Sequence, residues 1–188
     1  MEICREKSFK LLKQYVESSN LLKHVLAVEA AMIGYAKKFE EDIEIWATCG
    51  LLHDIDFEKY PENHPFKGVE ILRENGYPED FILAIQGHAD ESTTRETLMA
   101  KTLYAVDELS GFIIACALVR PNKLEGMKVK SVKKKLKDKA FARAVNRESI
   151  VSSAEELGVD MSEHIQTVID SLVNREVELN KTGLSMLS

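Results

Sequence analysis

The sequence predicts an all-α fold, and two observations carry that expectation. Apolar residues recur at spacings of three and four through most of the 188-residue chain, as the buried stripe of a helix requires. Strictly alternating runs, the mark of half-buried strands, are hard to find, and only nine glycines and four prolines interrupt the chain.

Phe9, Leu12 and Val16 mark a first helix that ends near Ser18-Ser19-Asn20. Asn20 is placed to cap a second, whose stripe is Leu21, Val25, Val28, Met32 and Tyr35. A third helix runs from about Asp42 to Leu52 with Ile43, Trp46, Ala47 and Leu51 inward, and the polar stretch Ile55 to Asn63 reads as a loop. Pro65 suits the first turn of a fourth, which carries Val69, Ile71 and Leu72 and stops at Asn75-Gly76. Pro78 opens a fifth with Phe81, Ile82 and Ile85. Ser92-Thr93-Thr94 begins a long sixth helix through Ala105 toward Val119, ended by Arg120-Pro121-Asn122. Beyond Pro121 the chain turns basic, with Lys128, Lys130, Lys133, Lys134, Lys135, Lys137 and Lys139 on short helical pieces. Helices near Arg147 to Leu157, stopped by Gly158, and Asp160 to Leu179 follow, and the tail Lys181 to Ser188 is expected to fray. The simplest organisation is one helical domain over residues 1–188, with a core of about 20–120 and a C-terminal helical elaboration of about 121–180.

An apolar content of 45% and a charged content of 30% suit a globular chain and exclude a disordered one. The net charge of −6 argues against nucleic acid or an anionic membrane as a partner of the molecule as a whole, although a local basic patch can still bind a phosphate. Cys4, Cys49 and Cys116 are odd in number, widely spaced and without a CxxC pair, which argues against a disulfide framework and a thiolate zinc site. No signal-peptide run opens the chain and no apolar stretch is long enough to span a bilayer, so a cytoplasmic location is expected.

The pair His53-Asp54 closes the apolar run Trp46 to Leu52. A helix C-terminus carries partial negative charge, so an aspartate there is misplaced, and burial beside Leu51, Leu52 and Ile55 raises the cost. A bound cation removes both problems; a nearby arginine or lysine would as well. His24 interrupts the apolar run Leu21 to Val28, and Asp107 shares a helix face with Ala100, Leu103, Gly111 and Ile114. Taken singly, such residues are most often core groups with hydrogen-bond or ion-pair partners. Taken in order, they offer nitrogen and oxygen ligands suited to a divalent metal. His164, on the last helix, lies outside the pattern and is read as a surface residue.

The ordered set His24, His53-Asp54 and Asp107 resembles the HD-domain superfamily of metal-dependent phosphohydrolases over roughly residues 20–120. The resemblance implies an HD-domain helical bundle with these four side chains as ligands of a metal between helices. His64 and His88 fall between the pair and Asp107, as in two-metal subsets of the superfamily, which implies a second ion bound by both and bridged by Asp54. The chain departs from many two-metal members in having Asp56-Phe57-Glu58-Lys59, rather than Gly-Lys, after Ile55. The tyrosine-proline motif of the cyclic-di-GMP-degrading relatives is not evident. The expected cofactor is one or two divalent ions; Mn, Fe, Zn, Mg, Co and Ni all suit the ligands.

The leading expectation is therefore hydrolysis of a phosphate ester or phosphoanhydride in a nucleotide or small phosphorylated metabolite, with metal-bound water as nucleophile. Asp54 would position that water, and Asp90 and Glu91 are candidates for proton transfer or for support of the ligands. Lys67, Arg95, Arg120 and Lys123 are the cations to weigh for binding the anionic substrate, Lys67 also as a catalytic group because it lies near a helix N-terminus. The six-residue set also resembles the di-iron oxygenases built on the HD fold, and a non-catalytic metal- or ligand-binding module is the third reading. Exposed helical faces in the C-terminal part leave room for a homodimer.

Overall fold

The structure, a computed structural model, describes residues 3–89 and 95–188. Nine α-helices and one 3-10 turn, with no strand, make up the described residues: α1 (Arg5–Tyr15), α2 (Ser19–Phe39), α3 (Ile43–Leu52), the 3-10 turn Pro61–Asn63, α4 (Phe66–Glu74), α5 (Glu79–Gln86), α6 (Leu98–Leu118), α7 (Val129–Leu136), α8 (Arg147–Leu157) and α9 (Met161–Asn180). The sequence expectation of an all-helical bundle is met.

α2 and α6, each 21 residues long, form the centre. α2 packs against α3, α6 and α9; α6 also receives α5 and α8, while α1 lies on α3 and α4 pairs with α5. The position of α3 depends on a glycine. A Cβ on Gly50 would lie 2.9 Å from Met32 and 3.0 Å from the Glu29 backbone, so only a bare Cα lets α3 sit this close to α2. That approach matters for function because α3 ends at His53. Ile150 of α8 and Ile165, Val168 and Leu172 of α9 belong to the same core as Val25, Leu51 and Leu103, so the C-terminal helices share the core of the first 120 residues.

Several boundaries differ from the sequence expectation. Ser18, not Asn20, caps α2, accepting a hydrogen bond from Leu21 N at 3.4 Å. α6 begins at Leu98 behind a Thr97 cap, and Ser92, Thr93 and Thr94 lie outside the described residues. Ile43 is 44% exposed, since it stands in the first turn of α3 before the helix meets α2. The tail does not fray away: Met186 is fully buried and its N–H, with the Ser185 hydroxyl, binds the Glu176 carboxylate.

Two buried polar groups tie the bundle together. Glu29 on α2 has no exposed surface and accepts from Arg5 of α1 and Arg175 of α9. His164 is not a surface residue: it is completely buried, its Nε2 donating to Ala105 O of α6 at 2.9 Å while the Tyr35 hydroxyl of α2 meets Nδ1 at 2.5 Å. Its place on the apolar face shared with Val168 and Ser171 puts it inward. Burial lowers its pKa to about 4. The unfolded chain therefore takes up this proton first, and stability is lost as pH falls from the ordinary histidine value of 6.5 toward 4. Denaturant midpoints measured across that window should show His164 weakening the wild type by up to about 3 kcal/mol, a component that His164→Gln removes from the slope.

Candidate metal centre

The centre is assembled at helix ends and across helix faces. His53 is the C-cap of α3, and its Nδ1–H donates to Gly50 O in the last turn at 2.8 Å. His88 repeats the device at the end of α5, donating to Ile85 O at 2.5 Å. His64 leads into α4 and donates from Nδ1 to Asp56 Oδ1 at 2.7 Å. In all three the Nδ1 bond sets the tautomer, leaving an Nε2 lone pair free to point inward. His24 comes from the first turns of α2 and Asp107 from mid-α6.

The six side chains converge. They fall into two groups that could each hold a metal ion, His24, His53 and Asp107 in one and Asp54, His64 and His88 in the other. Asp107 Oδ1 lies 3.0 Å from His24 Nε2 and 3.5 Å from His53 Nε2. Asp54 spans both groups: Oδ2 lies 3.5 Å from the Nε2 atoms of His24 and His53, and Oδ1 lies 3.5 Å from those of His64 and His88. The donor chemistry fits divalent ions. The Nε2 atoms of His64 and His88 are 3.0 Å apart and those of His24 and His53 are 3.3 Å apart. With Nδ1 carrying the proton, His64 and His88 turn lone pairs toward each other, an arrangement that a cation between them would satisfy.

Charge shifts describe the ion-free form of this cluster. Burial works against a charged imidazole at His24, but the hydrogen bond and charge of Asp107 outweigh it and raise its pKa. Burial also opposes charge at His53, where Asp54 and Asp107 prevail and raise it well above the usual value. Asp54 and Asp107 are held below the carboxylate range, burial being overcome chiefly by the charge of His53.

Asp56 was not legible in the sequence as a site residue. It is completely buried; besides holding His64, it accepts from Gly68 N at 2.6 Å. A Cβ on Gly68 would stand 3.2 Å from the Asp56 carboxyl, so the residue at the start of α4 must be small for this approach. The signal available was the sequence His53-Asp54-Ile55-Asp56, an acid two residues beyond the pair in a stretch that read as a polar loop.

A cavity of about 830 Å³ opens over the cluster, lined by His24, Asp54, His64, His88 and Asp107 together with Phe57, Glu58, Tyr104, Glu108, Ala144 and Val145, among others. Among the described residues that line it there is no lysine or arginine. Lys67 pairs with Glu70 at 2.6 Å outside the cavity. Arg95 donates to the carbonyls of Gly87 and Ala89 at 2.6 and 2.8 Å, bracing the chain on either side of His88, and its guanidinium lies 3.8 Å from the centre of the Tyr104 ring. Arg120 and Lys123 stand beyond the far end of α6, where Arg120 binds the carbonyls of Lys123 and Glu125. Lys59 reaches Gln14 O on α1 at 2.7 Å. Asp90 and Glu91 lie outside the described residues.

Residues 21–111 match the model of the HD domain, a domain associated with metal-dependent phosphohydrolases. Among curated proteins it is 36% identical over 97 residues to an uncharacterized protein of Methanocaldococcus jannaschii, covering 48% of this chain and 57% of that one. It is 31% identical over 97 residues to Ribonuclease Y of Lawsonia intracellularis (50% of this chain, 19% of that one). It is 32% identical over 79 residues to tRNA (cytidine(56)-2'-O)-methyltransferase of Thermoplasma volcanium (42% and 23%). The chain thus spans less than two thirds of each of these relatives. No solved structure gives a significant match.

Two outcomes follow. Asp56→Ala frees the His64 ring and should weaken metal binding about 10- to 100-fold in a titration, at unchanged helical content. The pKa shifts give the second. Without metal, the raised His24 and His53 contribute stability that is full below 6.5 and lost as pH rises through their folded values. The lowered Asp54 and Asp107 contribute stability above 3.8 that is lost only in strong acid. Metal competes with the imidazole protons, so melting temperatures of chelated and metal-loaded protein should diverge as pH rises.

Proposed function

We propose that this chain is a metal-dependent phosphohydrolase that cleaves a phosphate ester or phosphoanhydride of a nucleotide or other small phosphorylated compound. The observation that carries the reading is Asp54, whose two oxygens each face a separate pair of imidazoles at 3.5 Å. His24, His53 and Asp107 would hold one divalent ion, His64 and His88 a second, with Asp54 shared. Ions there would polarise a phosphoryl oxygen and bring the pKa of water down from 15.7 toward about 7. The similarity to a protein named as a ribonuclease is in keeping with phosphoester chemistry.

The chain's own residues have distinct tasks. The last-turn carbonyls of α3 and α5 and the Asp56 carboxylate hold three rings in the ligating tautomer. Arg95 acts as a positioning residue for the His88 segment. Asp90 and Glu91, which follow Ala89 of the cavity wall in the sequence, are proposed for proton transfer. Phe57, edge-on to His64 with ring centres 5.3 Å apart, limits water at that side of the cluster.

One observation favours a second reading. The described cavity lining offers carboxylates but no cationic side chain, which suits an uncharged substrate of a di-iron oxygenase. The two readings separate in one experiment. Metal-loaded protein is assayed against phosphomonoesters, phosphodiesters and nucleotides, and in parallel for oxygen uptake with ferrous iron. Phosphate or alcohol release that falls at least about 1,000-fold in Asp54→Ala is expected. Oxygen consumption coupled to turnover, with no phosphoester cleaved, overturns the proposal.

A further inference from the structure

Charge is segregated along this chain. Residues 120–143 hold ten of the 25 lysines and arginines but only two of the 31 acids, Glu125 and Asp138, a net of +8. The remainder carries 15 cations and 29 acids, a net of −14. The overall −6 is the difference between a basic segment and an acidic body.

α7 lies in the middle of that segment. Its inner side, Val132 with Val129 and Leu136, packs into the core. Its outer side presents Lys130, Lys133, Lys134 and Lys137, which line a groove of about 490 Å³ at the start of α9. Lys133 donates to Ser162 Oγ at 2.5 Å and faces the Asp160 cap of α9. Among the described residues, Lys130, Lys134 and Lys137 are in no ion pair, although the chain holds 31 acids. Like charges three and four residues apart on a helix repel, so the face is unfavourable until an anion shares it. An anionic bilayer is the weaker candidate, because the apolar side of α7 is already turned into the protein.

A separate observation points the same way. The described lining of the metal-site cavity has no lysine or arginine, so beyond the ions the cluster would hold, cationic contacts to an anionic substrate come from outside it. The chain connects the two places. After α7, residues 137–146 run to the cavity, where Ala144 and Val145 form part of the wall. Arg147 fixes this stretch by donating to the carbonyls of Leu136, Asp138, Phe141, Ala142 and Val145. Lys130, Lys134 and Lys137 are spaced ~6 and ~4.5 Å along the helix axis, within reach of successive phosphates of an extended strand.

We propose that this lysine face docks the backbone of a single-stranded nucleic acid, whose scissile phosphodiester then reaches the His/Asp cluster. Docking stands on the charge and shape of α7; cleavage of the docked strand rests on the phosphohydrolase reading. Attack of water on the phosphorus breaks one P–O bond, leaving a phosphomonoester and a hydroxyl, with the water's protons shared between the leaving oxygen and solvent.

The test uses the full chain as purified and a fluorescein-labelled oligouridylate. Anisotropy reads binding and a denaturing gel of the same sample reads cleavage. The wild type should bind with a steep salt dependence. Combining Lys130→Ala, Lys134→Ala and Lys137→Ala should weaken binding at least about tenfold and reduce the log–log salt slope by about 2, while the triple Lys→Arg variant retains both. Melting temperature and metal content, unchanged in both variants, exclude misfolding. Equal affinity and slope in the alanine variant overturn docking, as does capture by phosphatidylglycerol vesicles without oligonucleotide binding. A strand that binds through these lysines yet stays intact with metal loaded supports docking and refutes the hydrolase reading. Hydrolysis of bis(p-nitrophenyl) phosphate by a wild type that ignores the strand refutes docking alone.

Discussion

The centre depends on one repeated interaction, an imidazole Nδ1–H given to an acceptor that the fold holds still. For His53 and His88 that acceptor is a carbonyl in the last turn of the preceding helix, Gly50 and Ile85. Such last-turn carbonyls lack their regular i+4 helical donor and have acceptor capacity left for a ring N–H. One bond then serves two needs, completing a helix end and choosing which ring nitrogen is left bare. It also brings the negative ends of α3 and α5 toward the same point, adding to the carboxylates of Asp54 and Asp107 a field that favours a cation. Protons and metal ions compete for that field, and the same carboxylates raise the pKa of His24 and His53.

Convergence requires the helices to keep their places within a fraction of an ångström, and the rest of the fold supplies that. α2 is nearly continuously buried from Val25 to Met32, so it cannot rotate about its axis without exposing core. The Glu29 carboxylate, between arginines of α1 and α9, makes the same helix expensive to shift, since losing one partner of a buried ion pair costs about 3–5 kcal/mol. α6 is pinned through its own backbone, where Ala105 O accepts a hydrogen bond from His164 Nε2–H two residues before Asp107. The bare backbone of Gly111, one turn beyond Asp107, faces the His24 ring; a Cβ there would come 3.6 Å from Nδ1.

Much of this could be read from the sequence, for a definite reason. His24, Asp54 and Asp107 are polar groups at positions where helical period demands apolar ones, and a residue that violates the local pattern announces itself. His64 and His88 break no such pattern; only the family resemblance drew attention to them. Asp56 escaped because its burial comes from chain reversal after α3 and from Gly68, twelve residues later, which no local period encodes. His164 is different: its spacing from Val168 and Ser171 places it on the inner face, so helical register alone accounts for its burial. The cations were the least legible. A lysine or arginine has a long stem, and its position on a helix does not say whether its head turns to a ligand, to a glutamate as in Lys67, or to backbone carbonyls as in Arg95.

Arg147 anchors the rim of the cavity through the backbone of residues 137–146. Its guanidinium holds the 137–146 stretch by gripping main-chain oxygens, and main-chain oxygens are the same whatever side chains the stretch bears. The rim beside the cluster can therefore change its side-chain chemistry through successive substitutions without losing its anchorage, provided the backbone path is kept. Such a rim is a natural place for related chains to diverge in what they accept, while the ligating rings behind it stay undisturbed.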